Sequence, residues 1–561
     1  MLIATILLFS QCNFPVTHQT SEKANLVVAD SAMVVCARPE ASAIGIQIMK
    51  KGGNAFDAMI ATDLALTVSY PFAGNIGGGG FMVYRTHDGK VGALDYREKA
   101  PMAASRNMYL DASGNIIPGK STLGAMAVGV PGTVAGLFKV YEKFGSLPFN
   151  ELIQPAINLA KRGVVLTAKQ ARRFNYYRKY FDKVNDHKII FDREWHVGDT
   201  IKFPALAKTF ERIRDKGRDE FYKGKTAEMI VDFMQKHHGL ITKEDLARYE
   251  AKWRKPIVFN YKDAKIISMS PPSSGGICVA EILNAIEPFP VAMYGHNTTK
   301  YIQLVTEAER RAFADRSFFL GDPDFVKIPI DTLISSAYAN RRMADFSWEK
   351  ATPSSTVKHG NIVGYEHMET THYSIVDSYG NAIAVTTTLN GAYGSKLYVS
   401  NGGFFLNNEM DDFSSKPGVP NQFGLVGAEA NSIQPEKRML SSMTPTIVEK
   451  NGALFMVVGS PGGSTIITSV VQTFLNVFEF GMNMQEAVDQ PRFHSQWLPD
   501  NIKMEPGGFS LALQDSLRKL GYAIDTTNAP VIGKVDAILR LPNGKLEGGA
   551  DHRGDDKAIG Y

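Results

Sequence analysis

The chain has 561 residues, 44% of them hydrophobic and 21% charged, with 50 glycines and a formal net charge of +4. That length is several times an ordinary domain and the composition is globular, which excludes disordered and fibrous classes. A net charge this small, with Lys and Arg interleaved with Asp and Glu, gives no case for nucleic acid or an anionic membrane as main partner and favours a small-molecule ligand.

The start, MLIATILLFSQCN, carries an apolar run from Leu2 to Phe9. It is too short to span a bilayer and long enough for the core of a signal peptide, although it lacks a basic start. Export, to the periplasm, is expected, with residues 1–26 as leader and linker. Cys12 follows the apolar run and is a candidate lipid anchor, although Gln11 is a poor fit to the small residue usual before such a cysteine. Three cysteines, an odd and sparse set, make no disulfide framework, and Cys36 and Cys278 read as buried thiols.

Next come helix signals: ASAIGIQIMKKGG ends in the Gly52-Gly53 stop, and NAFDAMIATDLALTVSY has apolar residues at helical spacing. FMVYRT, the turn HDGK and VGALDYRE read as a β-hairpin, because Asp-Gly supplies the positive φ angles of a tight turn. From about 131 to 250 the pattern is mostly helical, and TKYIQLVTEAERRAFADRSFF adds another helix. Residues 347–369 lack sustained periodicity and read as an exposed linker. After it, TTHYSIVD, SYGN and AIAVTTTLN form a second hairpin signal, and TPTIVEK, Asn451-Gly452 and ALFMVVGS a third. Hairpins followed by helices suggest sheets covered by helical layers, an α+β class, rather than a doubly wound parallel sheet.

Three segments carry candidate chemistry. A threonine at a strand entrance after a breakable linker acquires a base of its own if the peptide bond before it is cut, because its free α-amino group titrates at about 7.7–8.0. Thr370 stands at such a point, although on the Thr370-Thr371 dipeptide alone the ordinary β-branched strand reading is preferred. The loop GSPGGS (459–464) lies between a strand and the apolar helix TIITSVVQTFLNVFEFG and aims backbone N–H groups at one point, which suits an anion or developing oxyanion. It lacks the Lys of a P-loop and the serine position of a G-x-S-x-G elbow. In LNNEMDDF (406–413), Asn408, Glu409 and Asp412 are the types that hold an ammonium through charge-assisted hydrogen bonds. No HExxH, EF-hand or CxxC spacing supports a metal, no cofactor is expected, and His367 and His372 read as structural.

Taken together, GNIGGGGFMVYR (74–85), DYREKAP (95–101), PPSSGG (271–276), TTHYS (370–374), LNNEMDDFSSKPGVPN (406–421), RMLSSMTPTIV (438–448), GSPGGS (459–464) and PRFHSQWLPD (491–500) resemble the γ-glutamyltransferase (γ-glutamyl transpeptidase) family of N-terminal nucleophile hydrolases, over nearly everything from residue 27 onward. The resemblance implies a four-layer αββα sandwich built from two autoprocessed subunits, 27–369 and 370–561, released by cleavage between Glu369 and Thr370. It implies Thr370 as nucleophile, Thr388 orienting its new N-terminus, and Gly462 and Gly463 supplying oxyanion-hole N–H groups. Arg97 would pair with the α-carboxylate of a γ-glutamyl group, with Ser441 and Ser442 adding hydrogen bonds, while Asn390, Glu409 and Asp412 would hold its α-amino group. Glutathione and other γ-glutamyl compounds are the implied donors, and water or amino acid and peptide acceptors resolve the acyl-enzyme. In the lid-like segment 414–427, Phe423 stands where a tyrosine often sits, and a phenyl ring cannot donate a hydroxyl hydrogen bond towards Asn390. The alternatives are a related amidase such as a cephalosporin (glutaryl) acylase, or an unprocessed, non-catalytic surface protein.

Overall fold

The computed structural model describes residues 26–357, 370–528 and 531–561, so the leader, Cys12, His367 and Glu369 lie outside the described residues. Within them, strands from distant parts of the chain alternate their side chains strictly between two apolar environments. Met33 and Val35, Phe81 and Val83, and Ala382 and Ala384 face one core, while Val34 and Cys36, Met82 and Tyr84, and Ile383 and Val385 face another. Period-two alternation with both faces apolar requires cover on both sides.

Two seven-stranded sheets satisfy that requirement. One runs in the spatial order 27–29, 546–550, 536–540, 453–459, 446–450, 264–268, 257–261, every neighbour antiparallel. The other runs 557–560, 33–36, 371–376, 382–388, 79–85, 91–95, 252–254, again all antiparallel. Between them lies a core that includes Val83, Ala384, Ile447, Val457 and Ile538. Helices Pro39–Lys50 and Ala55–Ser69 cover the outer face of the second sheet, and Gly275–Ile286, Thr299–Phe319 and Thr465–Phe478 that of the first. The layers are therefore helix, sheet, sheet, helix, as expected. Cys36 and Cys278 are both buried free thiols. No helix among the described residues is long and apolar enough to cross a membrane.

The strand Thr371–Val376 lies in the interior of the second sheet and is buried throughout. The Tyr373 hydroxyl donates to Asp63 of the covering helix at 2.7 Å. On the opposite face the ring of His372 reaches across to the other sheet at Gly459, and the Ser374 hydroxyl donates to the Asp536 carbonyl at 3.0 Å. His372 accordingly sits buried between Thr386 and Ser374, with its pKa lowered to about 3 by burial, a structural imidazole.

Residues 347–357 are only in part the exposed linker that their composition suggests: Glu349, Lys350, Pro353, Ser355 and Thr356 are exposed. Thr352, Ser354 and Val357 are buried. The Trp497 indole N–H lies within range of the Ser354 and Val357 carbonyls at 3.0 and 3.2 Å, and the Ser354 hydroxyl donates back to the Trp497 carbonyl at 2.5 Å. A tryptophan remote in sequence anchors a stretch whose own pattern carries no strand or helix period.

A Cβ at Gly459 would lie 2.2 Å from the His372 ring, which has nowhere to retreat within the double sheet. Gly459→Ala is therefore expected to destabilise the protein by about 1–3 kcal/mol. Chemical denaturation would measure this, and a change under about 0.5 kcal/mol, the scatter of an ordinary surface substitution, would show that His372 is not wedged there.

Candidate active site

The hairpin register sets the centre of the site. Thr371 pairs with Thr387, so the next position outward brings Thr370 beside Thr388, and their hydroxyls lie 3.4 Å apart. Thr388 Oγ1 also accepts the Asn390 N–H at 2.8 Å. Thr370 is 5% exposed, at the mouth of the sheet sandwich. Thr371 shares the strand face of Tyr373, directed at the helices and away from Thr370.

The glycine run 77–80 has a local reason. A Cβ at Gly77 would meet the Phe405 carbonyl oxygen at 2.1 Å, and one at Gly78 the Thr388 carbonyl oxygen at 2.1 Å. Asn75 completes the contact by donating its side-chain amide to that Thr388 carbonyl at 2.8 Å. Backbone packed directly on backbone holds the position of Thr388.

Across the cleft, Gly462 has φ +137° and Gly463 φ +55°, conformations suited to glycine, immediately before the helix Thr465–Phe478. A Cβ at Gly463 would lie 2.7 Å from the ring of Phe423, so the lid phenyl packs flat on this glycine. Phe423 is buried, and Asn390 donates its side-chain amide to the Asn408 carbonyl at 3.0 Å.

A narrow cleft of about 20 Å³ joins Thr370 and Thr388 to Arg97, Asn390, Asp412 and Phe423, with Ser441, Ser442 and Gly463 on its wall. Arg97, fully buried, contacts Glu409 at 2.6 Å through one terminal nitrogen and Asp412 at 2.5 Å through the other. The Arg97 ion and the two acids thus form a single cluster. Glu409 nevertheless accepts no aligned hydrogen bond, so buried lone pairs remain. Burial pushes the Glu409 and Asp412 carboxyls up, and Arg97 opposes this only in part. Burial also works to lower Arg97, but Glu409, Asp412 and Glu98 outweigh it and leave its pKa raised. Of the residues that the resemblance singled out among the described residues, nine line this cleft, Glu409 joins it through its contact with Arg97, and Gly462 lines the neighbouring cleft that shares Thr370.

Three contributors carried no readable local signal. Arg316, on the helix Thr299–Phe319, donates to Ser442 at 3.1 Å and to Ser274 at 2.9 Å, and Ser274 in turn donates to the Ser441 carbonyl at 2.7 Å. Glu98 is buried beside Arg97 with both oxygens unpartnered, and burial raises its pKa to about 8. The string PPSSGG contains Ser274 and DYREKAP contains Glu98, but neither string says what they face.

Glu98 gives a pH prediction. An acid raised in the folded state from an ordinary 4.5 to about 8 favours folding below 4.5, and that contribution is lost as pH rises through 8. Glu98→Gln, neutral at every pH, is expected to melt above wild type at pH 8.5 and level with it near pH 4.5. Calorimetry at both values checks this, and an equal offset at the two would remove Glu98 as the source.

The γ-glutamyltranspeptidase family model matches residues 41–561. The chain is 45% identical to the glutathione hydrolase proenzyme of Escherichia coli strain K12, over 98% of this chain and 95% of that protein. Among solved structures it is similar to the cephalosporin acylase from Bacillus halodurans, at TM-score 0.85 and 26% identity over 99% of both chains. It is also similar to the Helicobacter pylori γ-glutamyltranspeptidase, at TM-score 0.57 and 44% identity over 60% of this chain and 96% of that one. With its fold, its paired threonines and its Arg97 cluster in one cleft, the chain belongs to the γ-glutamyltranspeptidase family.

Proposed function

We propose that this protein is a self-cleaving γ-glutamyltransferase and glutathione hydrolase. The observation that carries the reading is the ion cluster of Arg97, Glu409 and Asp412 opening onto Thr370. An α-amino acid head is a zwitterion: inserted here, its carboxylate takes Arg97 and its ammonium takes the two acids, so every buried charge stays paired. A γ-linked glutamyl unit leaves both α-groups free while presenting its side-chain carbonyl to the nucleophile.

In this reading the chain is cut between Glu369 and Thr370, giving a large subunit from residue 27 and a small one from 370, held together as a heterodimer. The new α-amino group of Thr370 takes the proton of its own hydroxyl. Oγ attacks the γ-amide carbonyl, the C–N bond breaks, and the amine leaves with that proton, so a γ-glutamyl ester remains. Water or an acceptor amine then adds to the ester carbonyl, and the Thr370 oxygen departs and recovers a proton. Thr388 orients the nucleophile, Gly462 and Gly463 donate N–H groups to the oxyanion, and Asn390, Ser441 and Ser442 complete the glutamyl pocket under Phe423. Export by way of the leader, with Cys12 a candidate lipid anchor, belongs to the same reading.

Thr370 lines a second cleft of about 230 Å³ with Gly462, Tyr70, Phe72, Arg173, Lys534 and Arg553. It lies on the side where the leaving amine or an acceptor would sit. Lys534 is held by Asp556 at 3.2 Å and Arg553 by Glu505 at 2.6 Å, while the Arg173 guanidinium stands 4.2 Å over the Phe72 ring, so Arg173 is the cation that we assign to an acceptor's carboxylate in this reading.

An acylase with the same nucleophile is favoured by the near-complete overlap with the cephalosporin acylase fold. A glutaryl group, however, brings no ammonium for Glu409 and Asp412. Hydrolysis of a γ-glutamyl anilide and a glutaryl anilide separates the two: turnover of the glutaryl compound alone would overturn the γ-glutamyl reading. Thr370→Ala is expected to abolish both chain cleavage on a denaturing gel and anilide turnover, while Thr371→Ala still cleaves. Arg173→Ala is expected to raise KM for dipeptide acceptors several-fold more than KM for the donor, and equal changes would take Arg173 out of the acceptor side.

A further inference from the structure

The pocket cover is fastened from behind by a side chain outside the glutamyl site. Phe423 presents its backbone carbonyl to Gln496, whose Nε2 donates to it at 3.3 Å. Gln496 is 4% exposed and follows the short strand Phe493–His494. Its Oε1 accepts from the Ser464 hydroxyl at 2.6 Å and lies 2.9 Å from His494 Nε2. Ser464 is the residue directly after Gly463.

The chemistry of the carbonyl sets the orientation of this amide. A carbonyl oxygen only accepts, so Nε2 faces Phe423 and Oε1 faces Ser464 and His494. His494 then presents an N–H at Nε2, and its Nδ1 lies 2.9 Å from the Thr468 hydroxyl. Thr468 lies one turn into the helix that begins behind the oxyanion glycines. One buried amide thereby connects the cover, the residue after Gly463 and the first turn of that helix.

The other end of the cover is tied to the acids of the glutamyl pocket. Asn421 donates to Asp412 at 3.1 Å, and the Gln422 N–H donates to Asp411 at 2.9 Å. A phenyl ring at 423 offers no hydroxyl, and the Asn390 amide donates to the Asn408 carbonyl and also bonds Asp412.

We propose that Gln496 is a positioning residue that fastens the Phe423 segment to the Gly462–Gly463 loop, so that closing the glutamyl pocket and setting the oxyanion donors are one event. This rests on the γ-glutamyl reading above. Gln496 touches no reacting atom: it acts through the Phe423 carbonyl and Ser464.

The test uses the full-length protein and a γ-glutamyl anilide. Gln496→Leu keeps the bulk and removes the donor, and is expected to raise donor KM about three- to tenfold, the worth of one such hydrogen bond, and to lower kcat with it, because the same contact sets the oxyanion donors. In a Phe423→Ala background, where the cover has already lost its ring, the same substitution is expected to have little further effect on KM. Gln496→Glu keeps an acceptor for Ser464 and His494 and donates to Phe423 only as the neutral acid. Its KM should therefore approach wild type at acidic pH and rise as the carboxyl ionises. An unchanged KM in Gln496→Leu, an equal KM effect with and without the Phe423 ring, or a pH-independent KM in Gln496→Glu would each overturn the proposal. If Gln496→Leu does not fold, the pH dependence of Gln496→Glu decides alone. Failure of the wild type to turn over the anilide would instead sink the γ-glutamyl reading, so the two failures are told apart in one assay.

Discussion

The site depends on the register of one hairpin. Thr371–Val376 pairs with Ala382–Thr388 so that the residue before the first strand meets the last residue of the second. Side chains in a strand alternate, and a slip by one residue would send the Thr370 hydroxyl to the helix side and bring Thr371 to the cleft. Three contacts resist that slip: Tyr373 on Asp63, His372 on Gly459, and the glycines at 77 and 78 packed on the Phe405 and Thr388 carbonyls. Each tolerates only one offset, so the double sheet works as a gauge for the position of a single oxygen.

Against this rigid frame stands an electrostatic arrangement that the fold alone does not favour. Glu409 and Asp412 contact one guanidinium with Glu98 close by, only Asp412 having an edge towards the cleft, and burial raises all three carboxyls. Such a cluster costs stability, as buried charges do unless fully compensated. A ligand with a matching pair of charges would relieve it. Stability given up in the free protein thus becomes selectivity for a zwitterionic head over a simple carboxylate.

The hairpins were readable because Asp-Gly, Tyr-Gly-Asn and Asn-Gly turns separate runs of period two, and the structure has strands at each. GSPGGS was readable as a glycine-dependent loop, and Gly462 and Gly463 do adopt positive φ. The alternation could not show that both faces of each strand are covered, which is a property of the assembled layers. Arg316 and Gln496 were out of reach for a related reason: they meet Ser442 and Phe423 across 126 and 73 positions, and no local spacing encodes such a meeting. In the stretch 347–357 polar composition points to exposure throughout, while the Trp497 that anchors the buried Ser354 and Val357 lies far along the chain. The resemblance assigns Arg97 and the pair Glu409 and Asp412 to opposite charges of a ligand, and only the geometry shows that they also contact one another.

The interleaving of the two sheets has one more consequence. The last strand, Lys557–Gly560, pairs with Met33–Cys36, which pairs in turn with Thr371–Val376, and Thr446–Lys450 pairs with Ala264–Ser268 in the other sheet. Strands from before and after residue 370 are thus mixed within both sheets. Severing the chain at that point removes one covalent link and leaves these ladders closed, so the two fragments would not part on dilution. Neither could complete a sheet by itself, which makes cutting after folding workable and assembly from separately made halves unfavourable.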